Sequence, residues 1–130
     1  MMLNIGLFAA AFLAGGIPTG YLAVKLARNR DIREQGSGNI GSTNVFRTEG
    51  LLLGAVVLLL DAGKAFGATY FLATLFDQEE LFRLLLGITV ILGNIFTPFL
   101  KFKGGKGVGA GLGVSCAVNP FSALIAVACF

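Results

Sequence analysis

Histidine and tryptophan are missing from this 130-residue chain, cysteine, methionine and tyrosine occur twice each, and proline three times. Without histidine, neither a histidine-based catalytic triad nor a histidine-ligated zinc site can be built within it. Cys116 and Cys129 share one apolar stretch, outside any metal-ligand spacing, and read as small buried apolar residues. Charge is scarce as well: Asp, Glu, Lys and Arg make up only 13% of residues. A soluble domain of this size rarely manages on so little polar surface.

What fills the chain instead is apolar: 55% of residues are hydrophobic and the mean hydropathy is +0.82. These residues fall in long runs, not in the broken stripes of soluble amphipathic helices. A bilayer span needs about 20 apolar residues, and four stretches qualify: Leu3 to Leu26, Leu51 to Phe76, Leu81 to Leu100 and Val108 to Phe130. The expectation is an all-α, polytopic helical membrane protein with about four transmembrane helices, forming one domain over residues 1–130. The first run has no basic residue before it and its first charge, Lys25, lies at the far end, so it is read as a permanent helix and not a cleaved signal. Pro18 should kink it.

Lysine and arginine set the expected orientation. Lys25, Arg28, Arg30, Arg33 and Arg47 flank one interhelical loop and Lys101, Lys103 and Lys106 another, eight of the ten basic residues, while the loop between them carries Asp77, Glu79 and Glu80 against Arg83. The positive-inside rule puts both basic loops in the cytoplasm, with four helices running up and down. The net charge of +3 then reflects topology and anionic ligands or headgroups, and nucleic acid is not expected as a partner.

Both basic loops are rich in glycine: Gly36-Ser-Gly-Asn-Ile-Gly-Ser-Thr-Asn44 followed by Arg47, and Lys101-Phe-Lys-Gly-Gly-Lys-Gly107. Glycine lets backbone N–H groups approach phosphate oxygens, and serine, asparagine, lysine and arginine add donors and positive charge. Two such loops at one membrane face point to a site for phosphorylated anions, against the plainer reading of two tight turns. The first loop fits G-x-G-x-x-G, but the charged segment Asn29-Arg-Asp-Ile-Arg-Glu-Gln35 before it is no buried strand, so a dinucleotide fold is excluded. Gly105 and Lys106 resemble a P-loop only in passing, since Leu100 occupies the leading glycine position and Gly107 follows the lysine.

Within the apolar runs, Asp61 and Lys64 are three residues apart on one helix face, near mid-membrane, and are read as a mutually neutralising pair or a functional one such as a proton path. Three small-xxx-small pairs, Gly16/Gly20, Gly63/Gly67 and Gly109/Gly113, mark expected close helix approaches.

The first loop with Arg47, and Gly93-Asn-Ile-Phe-Thr-Pro-Phe-Leu-Lys-Phe-Lys-Gly-Gly-Lys-Gly-Val108, resemble the first two signature motifs of the bacterial acyl-phosphate:glycerol-3-phosphate acyltransferases, the PlsY family. The resemblance runs from the first helix to the end of the chain and takes in Asp61 and Lys64. It implies an inner-membrane enzyme of phospholipid synthesis that moves an acyl chain from acyl phosphate to the 1-hydroxyl of glycerol 3-phosphate, giving lysophosphatidate and phosphate. It implies no cofactor, neither acyl-CoA nor a metal, and as partners the two substrates, membrane lipids and the enzyme that supplies acyl phosphate.

By the same resemblance Ser37, Asn39 and Arg47 contact the acyl phosphate or stabilise developing charge, with Thr43 and Asn44 supporting the loop and Gly38 and Gly41 in substrate binding. Gly104, Gly105, Lys106 and Gly107 hold the phosphate of glycerol 3-phosphate, Lys106 among the catalytic groups. The glycerol hydroxyl then attacks directly, with phosphate as base, without a serine acyl-enzyme. Asn94 stands where the second motif has histidine, Pro98 falls one position late, Ser42 replaces a common alanine and Gly109-Ala-Gly111 a usual Ala-Thr-Ala. The chain ends at Phe130, before the third motif with its histidine and asparagine, and is expected to be C-terminally incomplete or reduced in activity. The alternative is a non-catalytic membrane phosphate-binding scaffold or a small-anion transporter.

Overall fold

The computed structural model describes residues 2–76 and 79–128. Asp77, Cys129 and Phe130 lie outside them. The described residues form α-helices and short 3-10 turns: α1 (Met2–Gly16), α2 (Thr19–Arg28), α3 (Ser42–Glu49), α4 (Leu51–Leu75), α5 (Glu80–Ile95), α6 (Val108–Val118) and α7 (Pro120–Ala128). By length and composition Asn4–Arg28, Leu51–Leu75 and Glu80–Leu100 can cross a membrane, while Val108–Val118 is a shorter apolar helix. The chain is a multi-pass helical membrane protein. Large side chains such as Ile5, Leu59 and Leu75 stand exposed on its flanks, the disposition that lipid requires and water penalises.

Two prolines explain where the four expected stretches differ from the helices found. At Pro18 the missing N–H and the ring's clash with the preceding turn end α1, so the expected kink is a full break between α1 and α2. Two neighbours satisfy the carbonyls at the break: the Thr97 hydroxyl donates to Gly16 O, and Lys64 Nζ donates to Ile17 O, which also accepts from the Thr19 amide at 2.9 Å. Pro120 similarly divides the last stretch into α6 and α7, with Asn119 extended between them.

Glycine brings the helices together. A Cβ on Gly15 would lie 2.0 Å from Val90 O, one on Gly93 2.1 Å from Phe12 O, and one on Gly113 2.0 Å from Ala62 O, so α1 pairs with α5 and α4 with α6 backbone to backbone. Of the three expected glycine pairs, Gly16/Gly20 and Gly109/Gly113 are closely packed, Gly20 and Gly113 against the backbone carbonyls of Ile40 and Ala62, Gly16 and Gly109 against the side chains of Pro98 and Asp61. Gly63/Gly67 is not: nothing lies within 4 Å of a Cβ on Gly63, and only a Phe71 ring atom, at 3.9 Å, near one on Gly67. That stripe faces outward because α4 buries the opposite face, along Val57, Asp61, Ala65, Thr69 and Ala73.

The interior divides in two. Leu7, Ala11, Ala65, Leu86, Val90 and Val114 fill the bundle, and Val24, Ile32, Ile40, Val45 and Val57 form a second core at the end that carries both glycine loops. This second core fixes α2 and α3 against the top of α4, and so sets the first loop's position.

Candidate active site

The first loop is organised by Asn44, in the first turn of α3. Its Oδ1 accepts from the Ser37 amide at 3.0 Å, and its Nδ2 donates to Gln35 O at 3.0 Å and Asn39 O at 2.9 Å. Asn39 Oδ1 in turn accepts from the Gly41 amide at 2.8 Å. Gly38 sits at φ +73, a left-handed conformation that costs most side chains energy. These bonds deliver the chain into α3 at Gly41, with no side chain capping its first turn.

The second loop is held by its main chain. The Gly104 amide donates to Ile95 O at 2.9 Å and the Gly105 amide to Asn94 O at 3.0 Å, which folds the loop back on the end of α5. A Cβ on Gly104 would meet Asn94 O at 2.0 Å. The chain then enters α6 through Gly107 at φ +75, again with no side-chain cap.

Two uncapped helix N-termini therefore converge on one cleft, lined by Ser37, Asn39, Gly41, Ser42, Thr43, Asn44 and Arg47 from one side, Lys106, Gly107, Val108 and Gly109 from the other, and Asp61 and Asn94. The leading amides of each helix, those of Ser42 and Thr43 in α3 among them, have no partner within the helix, and the aligned peptide dipoles put positive potential there. Arg47 and Lys106 are both exposed and form no ion pair among the described residues. Dipoles and unpaired cations together favour an anion at this position.

Deeper in the cleft the Asp61–Lys64 pair is closed, with Lys64 Nζ 2.8 Å from Asp61 Oδ1. The same oxygen accepts from the Thr19 hydroxyl and from Asn94 Nδ2 at 3.3 Å. The pair is packed inward, and its carboxylate also lines the cleft.

Not all expected site residues share this cleft. Gly38 and Gly104 line a neighbouring outer cleft with Asp31, Arg33, Glu34 and Lys103, and Ser37 and Asn39 form the wall between the two. Gly105 lines neither. The amides of Gly104 and Gly105 are committed to carbonyls of α5, so these two glycines supply close packing and not free donors. In the outer cleft Arg33 engages both carboxylate oxygens of Asp31, at 3.0 and 2.6 Å. That bond holds the half-buried Asp31 carboxyl down to about 2 and raises the Arg33 guanidinium in turn. Ser42, Asn94 and Gly109 line the inner cleft without having been assigned a role from the sequence. Asn94 carried a usable signal, as an isolated amide in an apolar helix.

Fold and cleft together define a polytopic helical membrane protein with a cleft of uncapped helix N-termini and basic side chains at one end of its bundle. The family model described as glycerol-3-phosphate acyltransferase matches residues 5–130. The glycerol-3-phosphate acyltransferases of Endomicrobium trichonymphae and Geotalea daltonii are 42% and 43% identical over 130 residues, the whole of this chain. The fold matches the crystal structure of PlsY, described as an integral membrane glycerol 3-phosphate acyltransferase. Its glycerol 3-phosphate form gives a TM-score of 0.86 at 37% identity, covering 96% of this chain and 62% of that one. Its lysophosphatidic acid form gives 0.84 at 35%, covering 96% and 61%. The chain belongs to the glycerol-3-phosphate acyltransferase family, and spans 65% and 66% of the two relatives' lengths.

Proposed function

We propose that this protein transfers an acyl chain from acyl phosphate to the 1-hydroxyl of glycerol 3-phosphate. The hydroxyl oxygen attacks the acyl carbonyl, the bond from that carbon to the phosphate oxygen breaks, and the hydroxyl proton passes to the departing phosphate. Lysophosphatidate and phosphate result. The observation that carries this reading is the convergence of the α3 and α6 N-termini with Arg47 and Lys106 on one cleft. Both substrates bear phosphate, and negative charge develops on the attacked carbonyl and the leaving group, so fixed donors stabilise the transition state more than the ground state. In this reading Ser37, Asn39 and Arg47 serve the acyl phosphate, Asn44 and Asn39 hold the loop, Thr43 contributes a hydroxyl, and Lys106 and Gly107 meet the glycerol phosphate. Gly104 and Gly105 act by positioning that segment.

The reading includes a bacterial inner-membrane location with the cleft in the cytoplasm, supported by Arg28, Arg30, Lys101, Lys103 and Lys106 at the cleft end. Thiol labelling of cysteines placed at Lys103 and Glu80, in a variant lacking Cys116 and Cys129, tests the side. The activity test is lysophosphatidate formation from acyl phosphate by the purified full-length protein in lipid. Arg47→Ala and Ser37→Ala should each lower turnover about 100- to 1,000-fold, the usual cost of a lost oxyanion donor. Near-normal rates in both variants would sink the assignment. One feature favours a second reading: the broken first span beside a charged pair is shared with small-anion transporters, and phosphate flux into vesicles would reveal it.

A further inference from the structure

The inner cleft is lined mainly by donors and positive charge, with Asp61 as an exception. Its Oδ1 takes hydrogen bonds from Thr19, Asn94 and Lys64. Oδ2 has no protein partner among the described residues, although Asp61 is only 6% exposed and lines the cleft. An ionised carboxylate only accepts hydrogen bonds. Placed beside an anion site it repels a second phosphate, and is satisfied by a hydroxyl carried on the same ligand as the first. Lys64 Nζ, 2.8 Å from Oδ1, is its counter-charge in the apolar interior. With Oδ1 held by three neighbours, the carboxylate is a fixed hydrogen-bond acceptor.

Resting on the acyltransferase reading above, we infer that Asp61 Oδ2 accepts a hydrogen bond from the non-reacting middle hydroxyl of glycerol 3-phosphate. The phosphate is held by the helix N-termini and the middle hydroxyl by Asp61, so the terminal hydroxyl is left to face the acyl phosphate. Asp61 is then a specificity-determining residue that selects phosphorylated polyols over inorganic phosphate and simple alkyl phosphates.

The test compares glycerol 3-phosphate with propanediol monophosphate, which lacks only the middle hydroxyl, in the full-length protein in lipid. With unmodified protein, kcat/KM for the analogue should be about 10- to 100-fold lower, the cost of leaving a buried acceptor unpaired. In a variant with Asp61→Ala and Lys64→Met, which removes both charges together, the two substrates should converge. A purely structural Asp61 would depress both alike and leave their ratio unchanged, and that result overturns the inference. So does equal use of both substrates by unmodified protein, an arm that needs no variant to fold. Calorimetric binding of the same two ligands and of inorganic phosphate separates this inference from the activity. Preference for glycerol 3-phosphate without acyl transfer would support Asp61 and remove the acyltransferase reading. Acyl transfer with no preference would do the reverse.

Discussion

In the first glycine loop one side chain, that of Asn44, holds the backbone through three hydrogen bonds, whereas in the second the backbone holds itself on the end of α5. Glycine accordingly has different work in the two. Gly36 and Gly38 supply left-handed conformations, while Gly104 supplies the absence of a side chain where two carbonyl oxygens pass within 2.5 Å of its would-be Cβ. Among the glycines of the second loop only Gly107 has a positive φ, although Lys101 and Phe102 are left-handed as well. A glycine-rich, basic segment is thus not by itself a phosphate cradle. In this protein the amides of Gly104 and Gly105 are spent on α5, and the uncapped first turns of the helices that the loops introduce lie beside the cleft.

The sharpest way to break this contrast is Gly104→Ala. Its methyl would collide with main-chain atoms that cannot turn aside, so the loop or the end of α5 must shift, at about 3 kcal/mol or more. Unfolding in mixed micelles measures this, and a cost below about 1 kcal/mol would show that the second loop is not held by close packing. Next comes Asn44→Ala, which strands the Ser37 amide and two carbonyls and should cost about 2 kcal/mol. Amide exchange should accelerate over residues 36–41 and stay unchanged over 101–107. Equal acceleration in both would mean that the loops are one unit.

Gly38→Ala should cost about 1 kcal/mol, the penalty for an L-residue in left-handed backbone. Gly63→Ala, with no neighbour to meet, should change stability by no more than about 1 kcal/mol and in the stabilising direction, as in any helix interior. The smallest effect is acidification at the entrance to the first loop. Because its folded pKa is depressed from 3.8 to about 2, Asp31 contributes its full share above the ordinary value and loses it as pH falls through about 2. Carboxyl chemical shifts would follow it, and a midpoint near 3.8 would mean that the Arg33 bond is not populated.

Much of this was legible in the chain. Long apolar runs specify spanning helices because lipid leaves no other backbone solution, and the loops stood out through glycine, serine and asparagine next to basic residues. Pro18 announced a kink, which is a full break. Pro120 carried the same signal unused, hidden because the apolar run continues through it and composition does not register one missing N–H. The orientation of Gly63/Gly67 was not legible either, since spacing finds a stripe but not the face a helix buries. Nor could local sequence show that Gly104 and Gly105 spend their amides on α5, or that Asp61 reaches the cleft floor. Both depend on which helices pair, and that is decided by contacts remote in sequence such as Gly113 against Ala62.

The break at Pro18 has a consequence for how the protein is made. The first hydrophobic segment leaves the ribosome with the Gly16 carbonyl, and the second lone pair of the Ile17 carbonyl beyond its bond from the Thr19 amide, facing a bilayer that offers no donor; an unpaired carbonyl in hydrocarbon costs about 2–7 kcal/mol on transfer scales. Their side-chain donors, Lys64 and Thr97, belong to segments synthesised later. The nascent first helix is therefore under-bonded until the second and third arrive, and should linger near the insertion machinery or hold water at the break. Its final seat in the membrane is thus settled by the chain that follows it.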